Sequence, residues 1–193
     1  KGYRYQDIAV IVSDLNLYGD IIERIFPRYE IPVFMDYKRN VLLNSFVEYV
    51  RSLLAMVEKN FTYESVFRFL RSGFSGFEED EVDLLENYVR ALGIRGYKKW
   101  TEKWIRRTDS MTEENLEVAN RLREQLIRKL DALVEVLKRR HKTIYDVTLA
   151  LYQFLEREEL QRQVEAMEQQ FQESGELTLA KEYEQVYRVM MEL

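Results

Sequence analysis

The pattern of apolar residues changes near residue 40. Before that point, two short continuous apolar runs occur at residues 8–12 and 31–35, and both are rich in β-branched side chains. Such runs are typical of strands that are buried on both faces. Between them, apolar residues recur at helical spacing until Pro27 ends the pattern. Residues 1–40 are therefore predicted to form a small parallel βαβ unit.

From residue 41 onward, the apolar residues follow the 3.6-residue period of amphipathic helices. Asn60 and Thr143 are predicted to begin two of these helices as N-caps, and Gly93 is predicted to end another. The predicted helices cover residues 41–57, 60–70, 78–92, 112–139 and 144–155, and a last segment, 158–193, is interrupted near residue 174. The predicted fold class is therefore mainly α, with the βαβ unit at 1–40 and an all-helical subdomain at 41–193.

Composition narrows the possible chemistry of the 193 residues. The chain has no cysteine, which excludes disulfides, thiolate metal sites, iron–sulfur ligands and thiol nucleophiles. Its single histidine, His141, argues against a histidine-rich metal site or a Ser-His-Asp triad. The net charge of -5 rules out a globally basic nucleic-acid coat and leaves room for a local basic patch.

The apolar runs and the first residues of the chain bear on the cellular location of the protein. No apolar run is long enough to span a membrane, and no signal peptide opens the chain, so a cytoplasmic protein is expected. The chain begins at Lys1 without an initiator Met, so we expect a piece of a longer protein.

Nucleotide and metal sites are the first possibilities to test in a βαβ unit. No glycine-rich phosphate loop follows either predicted strand, so no nucleotide site is predicted. Asp7, Asp14 and Asp36 lie near strand ends, where caps and turn residues are commoner than metal ligands. No metal site and no catalytic residue are therefore predicted in this chain.

Residues 88–107 have the most distinctive composition in the chain. They contain seven Lys or Arg residues against one Glu, together with both tryptophans, Trp100 and Trp104. Cations interleaved with aromatic rings can follow a phosphate backbone while the rings stack on bases. Alternatively, the two tryptophans anchor the core and the cations form a solvated rim. The candidate DNA-binding residues are Lys98, Lys99, Lys103, Arg106 and Arg107.

Other charged clusters have simpler explanations. The basic run at residues 138–142 ends the longest predicted helix, where cations complement the helix dipole. The acidic clusters at residues 78–81 and 156–159 are typical of solvated helix surfaces. Acid–base catalysis would require carboxylates paired in a cleft.

Three segments, residues 5–13, 29–34 and 46–54, carry a recognisable pattern. Together they resemble the second RecA-like domain of superfamily 1 helicases of the UvrD/RecB type, in which the corresponding strands precede an inserted all-helical subdomain. Residues 66–73 and 85–96, followed by Trp100, are more narrowly similar to the AddB family, the B subunits of bacterial AddAB helicase–nucleases. The resemblance covers residues 3–107 well.

The resemblance implies DNA repair as the function. A parent complex of this kind would process double-strand DNA ends for recombination, as an ATP-dependent helicase and exonuclease with an AddA-like motor subunit as partner. It would use Mg and ATP, and its iron–sulfur cluster would lie outside this chain. Ser13 stands where ATP-hydrolysing relatives usually carry an arginine, and serine cannot replace its bidentate phosphate contact. The chain itself is therefore expected to be a non-catalytic, DNA-positioning scaffold; the alternative is a helical protein-interaction module without DNA contact.

Overall fold

The computed structural model describes residues 2–35 and 41–192. Its backbone separates into two compact units, Lys1–Asn40 and Val41–Leu193. The described residues are mainly helical, as the sequence predicts, and contain no β-strand. None of the helices in these ranges combines the length and the apolar character that a membrane span requires.

The first unit differs from the predicted βαβ arrangement. Its helix is present as α1 (Leu15–Ile25), and Pro27 lies in the 3₁₀ turn Phe26–Tyr29 that follows. Residues 8–12 and 31–35 have no regular secondary structure, so the βαβ unit is not formed in the described residues. Both apolar runs leave large side chains exposed, including Ile11 and Phe34. The physical reason is that two strands alone are marginal and need further strands to pair with.

Asp7, one of the aspartates near the predicted strand ends, has a local structural role. Asp7 accepts hydrogen bonds from the guanidinium and the backbone of Arg4, which together lower the pKa of its carboxyl. Asp36 lies outside the described residues. Asp7 therefore acts as a local turn residue, the commoner of the two roles that its position suggests.

The second unit contains the remaining helices. They are α2 (Ser45–Glu58), α3 (Tyr63–Leu70), α4 (Glu79–Leu92), α5 (Tyr97–Thr101), α6 (Glu113–Lys138), α7 (Ile144–Arg157), α8 (Leu160–Glu173) and α9 (Leu177–Met191). The sequence predicts all of them except α5, with boundaries that differ by a few residues. The predicted interruption of the last segment is the turn between α8 and α9.

Local capping explains where most of these helices begin and end. The Thr112 and Thr143 hydroxyls accept backbone N–H bonds at the starts of α6 and α7, and Gly93 ends α4 with a left-handed φ of 63°. The predicted cap at Asn60 is wrong, because Thr62 accepts the N–H of Ser65 and begins α3. Asn60 instead lies in a left-handed turn with a φ of 52°.

Helix α6 runs along the core of the second unit and packs on α2, α4, α5 and α7. Fully buried side chains of α2 and α6 meet there, among them Phe46, Leu53 and Leu126. An ion pair at the rim of this core joins Lys129 of α6 to Glu158, with 2.8 Å between Nζ and Oε2, and Lys129 also donates to the Ser75 carbonyl. This packing holds α5 and the chain that follows it against α6.

Candidate nucleic-acid interface

The candidate DNA-binding residues lie on α5 and on the loop that follows it. Lys98 and Lys99 belong to α5, whereas Lys103, Arg106 and Arg107 lie on residues 102–112, which we call the α5–α6 loop. All five side chains are exposed. The structure thus places five cations at the surface within ten consecutive residues.

Two of the five cations are paired with carboxylates. Lys99 lies 2.8 Å from Glu102, which lowers the pKa of that carboxyl, and Arg107 lies 3.5 Å from Glu113. Such exposed pairs are weak, so a phosphate can compete for the cations. Within residues 2–35 and 41–192, no carboxylate forms an ion pair with the other three, which are Lys98, Lys103 and Arg106.

The two tryptophans lie in the core, not at the surface. Trp100 is 0% exposed and Trp104 is 7% exposed, so the expectation that both tryptophans anchor the core is confirmed, and neither ring is available for stacking on a base. Trp100 lies on α5, which ends at Thr101, whereas Trp104 lies in the α5–α6 loop. The Trp104 ring stacks on Tyr88 at 5.0 Å and its Nε1 donates to the Lys99 carbonyl.

Side chains of α6 hold α5 and the α5–α6 loop by hydrogen bonds to their backbone. Asn120 accepts from the Trp104 N–H at 2.9 Å and donates to the Trp104 carbonyl at 2.8 Å. One turn further along α6, Arg123 donates to the Trp100 carbonyl at 3.0 Å. On the other side of Trp104, the Tyr88 hydroxyl donates to the carbonyl of Arg106. The loop that carries the cations therefore has a fixed backbone around Trp104.

Arg123 is a buried cation beneath this loop. Its side chain donates to the Asn120 amide oxygen and to the Trp100 carbonyl, and its guanidinium lies 5.9 Å from the centre of the Trp104 ring. Burial lowers the pKa of the guanidinium, yet arginine stays charged at any physiological pH. Carbonyl dipoles and the ring face therefore offset part of the cost of burying this charge.

Sequence reasoning missed both Asn120 and Arg123. A signal was present, since Arg123 follows Ala119 by four residues and Leu116 by seven, which places it on the apolar face of α6. A charged residue on such a face requires a specific partner. Which groups would meet it, however, depends on how the α5–α6 loop folds back.

The other basic run, at the end of α6, has mainly structural contacts. Lys138 donates to Asn60 and its Nζ lies 3.9 Å from the centre of the Tyr97 ring, and burial lowers the pKa of its ammonium group. Arg139 pairs with Glu135 one turn earlier, at 2.8 Å. These contacts fit the interpretation given to the sequence, in which the cations of residues 138–142 stabilise the end of a helix.

No catalytic arrangement is found around the remaining candidate residues that the structure describes. Ser13 is exposed in a bend of the first unit. In the part of the chain that the structure describes, no three His, Asp or Glu side chains come together in a way that could hold a metal. The acidic cluster at residues 78–81 begins α4, and its Glu81 pairs with Arg121 at 3.1 Å.

Comparison with known proteins finds long, consistent matches to one class of enzyme subunit. No protein-family model matches the chain. The chain is 39% identical over 194 residues to the B subunit of the ATP-dependent helicase/deoxyribonuclease of Lachnoclostridium phytofermentans, a match that covers 99% of this chain and 17% of the relative. The B subunits of the same name from Clostridium acetobutylicum and Acetivibrio thermocellus are 36% and 38% identical, with 98% and 100% of this chain and 17% and 18% of each relative covered.

These matches show that the chain corresponds to one segment of a class of proteins named as B subunits of ATP-dependent helicase/deoxyribonucleases. Within that class, it belongs to the AddB family of B subunits, and the resemblance found in its sequence is confirmed. The chain spans 17–18% of the length of these three relatives.

Proposed function

We propose that this chain is a non-catalytic, DNA-positioning part of an AddB-type subunit, and that the α5–α6 loop contacts the phosphate backbone. The whole protein would process double-strand DNA ends for recombinational repair in the cytoplasm, with an AddA-like motor subunit that uses Mg and ATP. The iron–sulfur cluster of such a complex would be held by segments outside this chain, which has no cysteine. The observation that carries the proposal is the set of exposed cations on α5 and the α5–α6 loop.

The charge distribution supports a polyanionic partner. Residues 88–107 concentrate seven cations in a chain whose net charge is -5. Like charges this close repel one another, and solubility alone does not require them to cluster. A bound phosphate backbone would offset the repulsion and release its condensed counterions, which favours binding.

The rigidity of the loop supports a positioning role. Because Asn120 and Tyr88 fix the backbone around Trp104, the neighbouring cations project from a defined framework. Contacts with phosphate set the register and orientation of a protein on DNA without reading its sequence. A fixed framework would place the strand with little loss of conformational entropy.

The first unit fits a different part of the proposed parent protein. Residues 8–12 and 31–35 would become strands only when further strands of a RecA-like domain pair with them, and 41–193 would be the inserted helical subdomain. The exposed apolar side chains of both runs support this proposal, since pairing and packing would remove them from water. Ser13 would leave this domain without the usual arginine contact to ATP.

Charge reversal tests the DNA contact directly. In the full-length protein, we would change Lys98, Lys103 and Arg106 together to Glu, since none of them has an ion pair among the described residues. Binding to a fluorescent oligonucleotide should weaken for every sequence. The slope of log K against log salt should shrink by about 0.9 for each duplex phosphate that the variant no longer binds, or by about 0.7 on a single strand.

A matched control separates the site from total charge. Changing the exposed Lys59, Lys181 and Arg188 to Glu alters the net charge by the same amount at other places on the surface. This control should keep nearly the affinity and salt slope of the unmodified protein. If the loop variant also kept both, the cations would be a solvated rim and the proposal would be wrong.

One observation favours the alternative, a helical protein-interaction module. Tyr145, Leu149 and Tyr152 are exposed on α7 at helical spacing, so this helix has an apolar stripe that no described residue covers. Its spacing suits an apolar helix of another protein, and the relatives are named as subunits, which implies at least one further chain in their enzymes. An apolar contact between helices depends only weakly on salt. If the charge reversal at Lys98, Lys103 and Arg106 left DNA binding unchanged, the protein-interaction module would be favoured.

A further inference from the structure

One large apolar side chain of the α5–α6 loop is not in the core. Ile105 is 80% exposed, although Trp104 next to it is buried. Exposed Lys103 precedes it by two residues, and the exposed Arg106 and Arg107 follow it directly. The loop thus displays an aliphatic side chain in the middle of its cations.

Exposure of a single aliphatic residue is ordinary on protein surfaces, so it carries no argument alone. Here the backbone gives a second observation. The Asn120 amide holds both the N–H and the carbonyl of Trp104, and the Tyr88 hydroxyl holds the carbonyl of Arg106. The peptide group between Trp104 and Ile105 and the one between Arg106 and Arg107 are therefore both held, and Ile105 lies on the short backbone segment between these two fixed points.

We propose that Ile105 makes an apolar contact with a nucleobase of bound DNA, at a place where the base is unpaired or lies at a duplex end. This inference rests on the proposed function, in which the neighbouring cations hold phosphates. Cations that bind the backbone on both sides of an aliphatic side chain bring it close to the sugars and bases between the phosphates.

The chemistry of isoleucine suits this contact. Its β-branched side chain has few rotamers, so ordering it against a base costs little entropy. An exposed base face is apolar, and covering it removes apolar area of both partners from water. Aliphatic side chains are used in the same way by DNA-binding proteins that insert them between base steps. Ile105 would therefore add affinity that does not depend on salt.

The test compares two isoleucines of similar exposure. Ile105→Ala is the variant, and Ile144→Ala is the control, because Ile144 is 87% exposed and also follows a basic run. The full-length protein is titrated into a single strand of about 20 nucleotides, longer than one protein site needs, that carries 2-aminopurine, a base analogue whose fluorescence reports stacking. A covalently closed circular duplex, which has neither unpaired bases nor duplex ends, is the second probe.

We expect Ile105→Ala to bind the single strand about five- to tenfold more weakly, in line with the removal of one methylene and two methyl groups that are partly covered in the complex. The salt slope should not change, since no phosphate contact is removed. The change in 2-aminopurine fluorescence on binding should be smaller, and affinity for the closed circular duplex should fall less. Ile144→Ala should leave all these values as they are.

The possible failures can be told apart. If Ile105→Ala matches the unmodified protein in affinity and fluorescence while the Lys98, Lys103 and Arg106 variant binds weakly, the base contact is wrong and the phosphate contact stands. If neither variant changes binding, the proposed function fails with it. An equal decrease in Ile105→Ala and Ile144→Ala would also overturn the inference, because the effect would then belong to the surface in general.

Discussion

Replacing Trp100 by alanine should destabilise the second unit more than any change at its surface. The indole is fully buried, meets the Trp104 ring edge-to-face at 5.2 Å, and lies where α5 packs on α6. Truncation to a methyl group would leave a large cavity beneath the α5–α6 loop. Stability and the geometry of the candidate site therefore depend on the same side chain.

The magnitude follows from burial and packing. An aromatic ring of this size removes about 150–250 Å² from water, which at about 25 cal/mol per Å² corresponds to about 4–6 kcal/mol as an upper value. The indole N–H of Trp100 has no hydrogen-bond partner among the described residues, so its removal breaks no hydrogen bond that would increase that value. Measured substitutions of buried aromatic residues by alanine give about 3–5 kcal/mol, and we expect this range.

Urea denaturation measures the effect. The unfolding free energy of Trp100→Ala is compared with that of the unmodified protein, and the fluorescence of Trp104 reports the α5–α6 loop. Tyr145→Ala is the control, since this aromatic side chain is exposed on α7 and its removal should change stability by less than about 0.5 kcal/mol.

A decrease below about 1 kcal/mol in Trp100→Ala, with unchanged Trp104 emission, would contradict the argument, because it would show that the ring is not packed as a core anchor.

The remaining predictions concern two hydroxyls and a carboxyl group. Tyr49→Phe should leave the free energy of unfolding unchanged or slightly higher, because the buried Tyr49 hydroxyl has no hydrogen-bond partner among the described residues. Tyr88→Phe should lower it by about 1–3 kcal/mol, because the Arg106 carbonyl loses its donor. Denaturation of both variants checks this, and equal effects would refute it. The Arg71 guanidinium and the Tyr63 hydroxyl lower the pKa of Glu86 below its ordinary value of 4.5, so its contribution to stability is present above that value and disappears as the pH falls through the lower pKa of the folded state. Glu86→Gln should flatten the decline in stability between about pH 5 and about pH 3, and an unchanged decline would count against it.

The experiments on the two proposals measure DNA binding and its dependence on salt. Reversal of Lys98, Lys103 and Arg106 changes the salt dependence of DNA binding, whereas Ile105→Ala changes affinity without changing that dependence. Together they separate an electrostatic contact from an apolar contact on one surface.

Much of the second unit could be predicted from the sequence because helices are specified locally. Each helix signal acts on residues close to it in the chain. These signals are the apolar stripe with a 3.6-residue period, the threonine that caps the start and the glycine that ends the helix. The predicted caps at Thr143 and Gly93 are therefore confirmed. The cap at Asn60 is not, because Thr62, two residues later, offers an equally good cap that begins α3.

The first unit shows why strands differ from helices in this respect. A helix such as α1 satisfies its own backbone hydrogen bonds, whereas a strand needs a neighbour to pair with. The apolar runs at residues 8–12 and 31–35 carry the side-chain pattern of buried strands without a partner in the described residues. Their composition alone could not show whether such a partner is present.

The sequence by itself determined the helical class, most helix ends, the AddB resemblance and the clustering of cations in residues 88–107. Only the tertiary structure decided which side of that segment faces inward. Trp104 meets Asn120 across 16 residues and Trp100 meets Arg123 across 23 residues, and these contacts turn both rings into the core while Ile105 and the cations stay outside. Contacts of that range arise when α6 packs against α5 and its loop, and no period or capping pattern in the sequence encodes them.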